Sequence, residues 1–568
     1  MNKFTGIDYV IFVIYFIGVS GYGYWVYSRK KTKGVSDSKD FFLAEGSLTW
    51  WAIGASLIAS NISAEQFIGT SGQGFAVGLA VAAYEWVAAI ALIIVAVWFI
   101  PVYLKNKIFT MPQFLHNRYN ETVSFIMAIF WLLLYVLVNL TSILYLGALA
   151  INSLAGGGYL HEIIIALAIF ALFITLGGMK VIGFTDVIQV LVLVIGGLAT
   201  TYIALTLVSE HFGLGKSALA GLSAMFKDAP DHFQMIMAKP KPGAPQAEIN
   251  KYLALPGIAM YFAGQWIVNL NYWGCNQYIT QRALGADLKT ARTGILFAGL
   301  MKLAMPIIVV LPGIAAYVIY KNGGLQQEMT SGGHFNADNA YSAILGFLPT
   351  GLKGLSVAAL TAAIVASLAG KANSISTIFT LDIYKKHIVK DASEKKMVAV
   401  GKIVILVALV FSIMLTWKDL LGISGEGGFT YIQKYTGYIS PGIFAIFILG
   451  FFWKRTTGAA AIAGILTGFG MSVLFNNFAP ALFGHETLLY TAFPTGDAKG
   501  TWQIPFLICM GLSFFFTVLV MVAVSFAGPK VNPKAFDIPK SMFKVDRSTL
   551  ALIIVTLLLL TMLYVKFW

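Results

Sequence analysis

Residues 50–78 read W-W-A-I-G-A-S-L-I-A-S-N-I-S-A-E-Q-F-I-G-T-S-G-Q-G-F-A-V-G. The stretch begins as a membrane span and then, at mid-depth, carries Ser60, Asn61, Ser63, Glu65 and Gln66 almost in succession. Lipid offers these groups no hydrogen bonds, and each one left unsatisfied costs several kcal/mol. The spacing predicts a helix interrupted near its middle, with polar groups and freed carbonyls turned onto a cavity, as in the broken helices of secondary transporters. The alternative is a continuous polar helix buried among others, its side chains bonding between helices.

Outward from this stretch, composition agrees. The chain has 568 residues, 58% hydrophobic and 11% charged, with a mean hydropathy of +0.78. This is an all-α polytopic membrane protein rather than a soluble domain. Its net charge of +14 sits in short loops between spans, so it reads as a topology signal and not as a nucleic-acid surface. The two cysteines, Cys275 and Cys509, lie in apolar runs and support neither a disulfide framework nor a thiolate metal site.

Fourteen spans are expected, at about 7–27, 48–73, 78–104, 122–153, 160–178, 184–208, 253–281, 292–320, 352–381, 397–417, 427–453, 457–477, 503–528 and 547–567. The first lacks a small-residue cleavage site and is expected to remain as a span. Lys and Arg concentrate in loops 28–47, 105–121, 179–183, 282–291, 382–402, 454–456 and 529–547, which are expected to be cytoplasmic. An even span count then leaves both termini outside a bacterial inner membrane. Spans two to six and seven to eleven form two sets of five, each led by a span with mid-depth amides. Five is odd, so the second set enters from the opposite face, which is the arithmetic of an inverted repeat. The expected units are 1–47 (an extra span and a basic loop), 48–208 (first repeat), 209–252 (an extracellular loop), 253–453 (second repeat) and 454–568 (three further spans).

Single intramembrane residues follow. Glu85, in Y-E-W-V-A-A, is a candidate by position, with capping of a neighbouring helix as the alternative. Lys302 either faces the same cavity or snorkels to the cytoplasmic surface. Together they suit a neutral polyol, their charges balancing. The amides Asn61, Gln66, Asn269 and Gln433 both donate and accept, as sugar hydroxyls do. Tyr272 and Trp273 offer faces for a pyranose ring or serve as packing. Asp186 is a helix N-terminal acid or a stop on a cation's exit route. In A-A-I-V-A-S-L-A-G-K (362–371), small residues admit a close backbone, and Ser367 adds a hydroxyl that suits Na⁺. No P-loop or H-E-x-x-H is present, and the glycines of 69–78 lack dinucleotide spacing. The Asn120 and Asn139 sequons fall in a cytoplasmic loop and a span, so neither is expected to carry a glycan.

I-A-S-N-I-S-A-E-Q-F-I-G (58–69), Y-E-W-V-A-A (84–89), N-x-x-Y-W-G-x-N-Q-Y-I-x-Q-R (269–282), A-N-S-x-S-T-I-F-T-L-D-I-Y (372–384) and Y-I-Q-K-Y-T-G-Y-I-S-P-G (431–442) resemble the sodium:solute symporter family, most of all its sugar symporters. F-I-T-L-G-G-M-K (173–180) matches its glycine signature. The resemblance implies a leucine-transporter-type core of five plus five helices, no enzyme activity, no cofactor, and Na⁺ as the coupling ion. It implies that Gln66, Glu85, Asn269, Lys302 and Gln433 bond the sugar with Asn61 beside them, and that Tyr272 stacks as inner gate. Thr70, Tyr84 and Phe429 would form an outer lid. Sodium would take carbonyls of Ala59, Ile62 and Ala363 and the Ser367 hydroxyl, with Asp186 on its inward path. Members usually carry two adjacent serines where this chain has Ala366-Ser367, so one oxygen ligand is missing. The expected partners are a small sugar, sodium and membrane lipid, with no nucleic acid, in a monomer or weak oligomer. Rival solutes are sialic acid, inositol and proline, and the rival class is a membrane sensor.

Overall fold

The computed structural model describes residues 5–28, 37–44, 48–63, 65–155, 158–331, 334–418, 420, 428–497 and 499–568. Nearly all of the regular structure is helical. Two antiparallel pairs of two-residue strands, Thr330–Ser331 with His334–Phe335 and Phe493–Pro494 with Trp502–Gln503, pin surface loops.

Among the described residues, ten helices are long and apolar enough to cross a membrane. The count is eleven if Gln246–Phe262 and Gly264–Gly274, bent by 80° where they meet, form one span. Three of the fourteen expected spans fall short because their helices are short or interrupted. Span 160–178 is the 17-residue helix Leu160–Leu176. Span 427–453 is split into Gly428–Gly437 and Ser440–Phe452, where Pro441 cannot donate an N–H to a continuing ladder. Span 48–73 is split as its polar residues predicted.

The helices that carry the site are α1 (Trp50–Asn61), α2 (Leu79–Lys105), α3 (Glu121–Asn152), α4 (Gly178–His211), α5 (Gly264–Gly274), α6 (Gln277–Leu284), α7 (Leu288–Lys321), α8 (Leu352–Ile388) and α9 (Gly428–Gly437). Burial separates a centre from a rim. The apolar window of α8 is 89% buried and that of α2 78%, against 22% for Gly6–Ser28 and 11% for Arg547–Phe567. Ile14, Ile17, Leu558 and Val565 on those rim helices are exposed, as lipid-facing side chains should be.

Close approach of backbones holds the centre together. A Cβ on Gly54 of α1 would stand 2.8 Å from the Gly294 carbonyl of α7, and one on Gly294 would stand 2.7 Å from the Trp50 carbonyl. The two helices therefore meet backbone to backbone, the small-residue packing that membrane bundles favour. Asp8, near the start of Gly6–Ser28, accepts hydrogen bonds from the amides of Gly351 (2.8 Å) and Gly354 (2.9 Å), at the start of α8. A carboxylate there satisfies orphan N–H groups and sets the beginnings of both helices side by side.

The long loops carry short helices, including Ala218–Asp228, Gln246–Ala254 and Ala340–Gly346. Gly78 (φ +89°) turns the chain under this cap, where a Cβ would lie 2.5 Å from the His232 carbonyl. His232 is buried against Tyr317, ring centroids 3.7 Å apart, and its Nε2 lies 3.1 Å from the Phe75 carbonyl.

Candidate functional site

The first break begins where α1 ends at Asn61 and Ile62 turns extended, with φ −79° and ψ 100°. The Ser63 amide, which would have continued the helix by bonding the Ala59 carbonyl, donates to Gln66 Oε1 instead (3.2 Å). The Ser63 hydroxyl donates to the same oxygen (3.2 Å). A wide π turn, Glu65–Thr70, then leads into Ser71–Ala76. Gln66 thus does local work that its sequence position did not announce: its carbonyl oxygen replaces the ladder at the break.

A second break lies between α5 and α6. Asn276 is extended (φ −105°, ψ 125°). The Tyr103 hydroxyl of α2 donates to the Gly274 carbonyl (2.7 Å). The Tyr135 hydroxyl of α3 donates to Asn276 Oδ1 and accepts from the Gln277 amide (3.0 Å). Tyrosines of neighbouring helices so satisfy the backbone that the break frees, as an interruption at membrane depth requires.

Between the breaks lies a cavity of ≈ 90 Å³, room for several waters or a small polar solute. Its wall includes Asn61, Gln66, Tyr84, Glu85, Asn269, Tyr272, Lys302 and Gln433. Lys302 Nζ donates to Glu85 Oε2 and to Asn61 Oδ1. The other end of the Asn61 amide donates to the Tyr272 hydroxyl (3.1 Å). The ammonium also lies 5.3 Å from the Trp273 ring centroid. Lys302 is 1% exposed, so it does not snorkel. A charge this deep is tolerable because carboxylate, amide and aromatic face share it. Asn269 donates to the Gln265 carbonyl one turn back (3.0 Å).

The structure brings most of the sequence-singled residues together, though not all. Thr70 is buried away from the cavity wall, its hydroxyl without a partner among the described residues. The side chain of Phe429 lies outside the described residues. Ala59, Ile62, Ala363 and Ser367 are all buried, and Ser367 Oγ of α8 donates to the Ser60 carbonyl of α1 (3.1 Å). Asp186 of α4 accepts from the Ser56 hydroxyl and stands 3.7 Å from the Arg282 guanidinium, both charges fully enclosed. Arg282, expected at the edge of a loop, is instead 1% exposed and donates to Ser56 Oγ (2.7 Å).

Two further residues, Glu65 and Lys371, were visible in the sequence as intramembrane groups but were given no role in the site. Glu65 lines the cavity with Oε1 unpaired among the described residues. Lys371, one turn beyond Ser367 on α8, is 2% exposed and donates to Ser367 Oγ (2.9 Å). A lysine inside an alanine-rich span was the available signal. Among the described residues, no group of three His, Cys, Asp or Glu could hold a metal. A cation here would depend on carbonyl and hydroxyl oxygens, which suit an alkali ion.

A profile of the Sodium:solute symporter family matches residues 41–468. A sodium/glucose cotransporter of Vibrio parahaemolyticus is 43% identical over 99% of this chain and 98% of its own length. A sodium/myo-inositol cotransporter 2 of Mus musculus is 33% identical over 81% of this chain and 68% of its own. A solved Na⁺-coupled sialic acid symporter, substrate-bound and outward-open, superposes with a TM-score of 0.72 at 21% identity, covering 93% of this chain and all of that one. That likeness establishes the leucine-transporter-type fold. A multi-pass membrane bundle with these relatives is a sodium-coupled solute symporter and not an enzyme: the chain belongs to the sodium:solute symporter family.

Proposed function

We propose that the chain imports a neutral hexose, galactose or glucose, across a bacterial inner membrane with sodium, by alternating access. The observation that carries this reading is the closed Lys302–Glu85–Asn61–Tyr272 constellation on the cavity wall. Its lysine is already paired, so the wall presents amides and hydroxyls to a neutral polyol and no spare cation to a carboxylate. Gln66, Glu85, Asn269, Lys302 and Gln433 bond the sugar with Asn61 beside them, and Tyr272 stacks on the ring as inner gate. Tyr84, Thr70 and Phe429 close the outer side. Sodium takes the carbonyls of Ala59, Ile62 and Ala363 and the Ser367 hydroxyl, and leaves past Asp186. Both termini are extracellular, and the units are 1–47, 48–208, 209–252, 253–453 and 454–568.

One sodium per sugar is sufficient energetically. At ~100 mV a single charge contributes about 2.3 kcal/mol, and a tenfold sodium gradient adds about 1.4 kcal/mol. Together they sustain roughly several hundredfold accumulation. The test is uptake of labelled galactose, glucose, myo-inositol, proline and sialic acid into proteoliposomes, with and without an inward sodium gradient. A sodium-driven hexose signal that Gln66→Ala removes is expected. Preference for myo-inositol, proline or sialic acid would overturn the assignment of the solute.

A further inference from the structure

Ser367 holds two hydrogen bonds: its proton goes to the Ser60 carbonyl (3.1 Å), and its oxygen accepts from Lys371 Nζ (2.9 Å). A positive charge therefore stands on the one hydroxyl that the sodium site retains, Ala366 having removed the other. Steric freedom around it is small. A Cβ on Gly370, the residue before Lys371, would meet Ser60 Oγ at 3.2 Å and the Arg282 guanidinium at 2.3 Å. The ammonium also rests 4.6 Å from the Tyr278 ring centroid, a weak π-face contact that leaves it short of a carboxylate partner. Glu65 interacts with it electrostatically without reaching salt-bridge distance, and keeps a buried Oε1 unpaired among the described residues.

We propose that Lys371 is a tethered cation that holds the Ser367 hydroxyl while sodium is away, and that sodium entry drives it onto Glu65. Two like charges cannot share one oxygen in a dry core without strong repulsion. Sodium at Ser367 therefore expels the ammonium, and the carboxylate that already acts on it electrostatically and has an oxygen without a partner among the described residues is Glu65. No proton is exchanged; Lys371 keeps its charge and swings on its own side chain. The consequence reaches the solute, because Glu65 lines the same cavity as its neighbour Gln66. Sodium binding on α8 is thus reported in the chamber by a charge arriving at the first break. The lysine weakens sodium binding in exchange for this linkage.

The inference rests on the Ser367 site proposed above, and the experiment separates the two. Sodium-22 binding is measured on purified protein at fixed pH and without sugar, for the wild type, Ser367→Ala, Lys371→Met, Lys371→Gln and Glu65→Gln, each checked for a monodisperse elution profile. Both Lys371 variants are expected to bind sodium about tenfold more tightly, the change a charge-assisted hydrogen bond implies. Glu65→Gln is expected to bind it more weakly, since the displaced ammonium then lacks a destination. A merely structural lysine would weaken sodium binding in both Lys371 variants. Wild-type affinity retained in Ser367→Ala would remove the Ser367 site and this inference with it. Weaker binding in Ser367→Ala without tightening in a folded Lys371 variant would overturn the tethered cation alone. Sodium bound by Lys371→Met but not by the wild type would also overturn it, since the ammonium would then occupy the site permanently and sodium would never displace it.

Discussion

Two lysine–glutamate pairs sit within this bundle, and they are built differently. Lys302 and Glu85 touch, with Asn61 and Trp273 completing the ammonium's surroundings. Lys371 and Glu65 face the same interior without touching; the lysine bonds a serine and the carboxylate keeps a free oxygen. A closed pair is a fixed wall, since opening it would bury two uncompensated charges. An open pair is poised, because each member gains by a movement. The first pair suits recognition of a neutral solute, and the second suits a change of state.

Breaking the closed pair should have the largest effect. Lys302→Ala leaves Glu85 buried and unpaired, which costs about 3–5 kcal/mol, so sodium-driven uptake should vanish and the melting temperature should fall. Restored melting with still-absent uptake in Lys302→Ala/Glu85→Ala would show that the pair serves both roles. Crowding the open pair comes next. Gly370→Ala pushes a methyl into the Arg282 guanidinium and Ser60, at about 1–3 kcal/mol for overpacking. Unfolding curves should show the loss, and sodium dependence should change with it.

Sharpening the open pair is subtler. Ala366→Ser restores a second hydroxyl, and sodium for half-maximal uptake should drop about threefold, the worth of one neutral hydrogen bond. An unchanged value would show that Ala366 does not limit the site. A separate effect, on stability against pH, lies in the 209–252 loop at the buried His232 imidazole, 3.7 Å from Asp231 Oδ2. Burial, with the Lys251 ammonium adding to it, holds the His232 imidazole down at about 4. The unfolded chain takes up that proton near the ordinary value of about 6.5 and the folded chain does not. Stability is therefore present above about pH 6.5 and is lost as pH falls toward 4. Melting temperatures across that window should decline more in the wild type than in His232→Gln.

Much of this was legible in the chain. The density of Ser60, Asn61, Ser63, Glu65 and Gln66 forced a break, because hydrocarbon cannot satisfy such groups, and the break is there at Ile62. Lys302 left a choice between snorkelling and the cavity, which hydropathy could not make. Arg282 looked like a loop residue because the positive-inside count treats every arginine near a span end alike. Only the packed helices reveal that its guanidinium turns inward to Asp186.

Sequence alone therefore determined the solvent of each segment and the places where a helix must open, since both follow from local composition against a medium without water. Tertiary structure decided which charges meet. Lys302 reaches Glu85 across 217 positions, while Lys371 bonds Ser367 four residues away and stops short of Glu65. Hydropathy along the chain carries no distances between helices. Whether a buried ammonium finds a carboxylate or only a hydroxyl is settled by how closely the backbones pack.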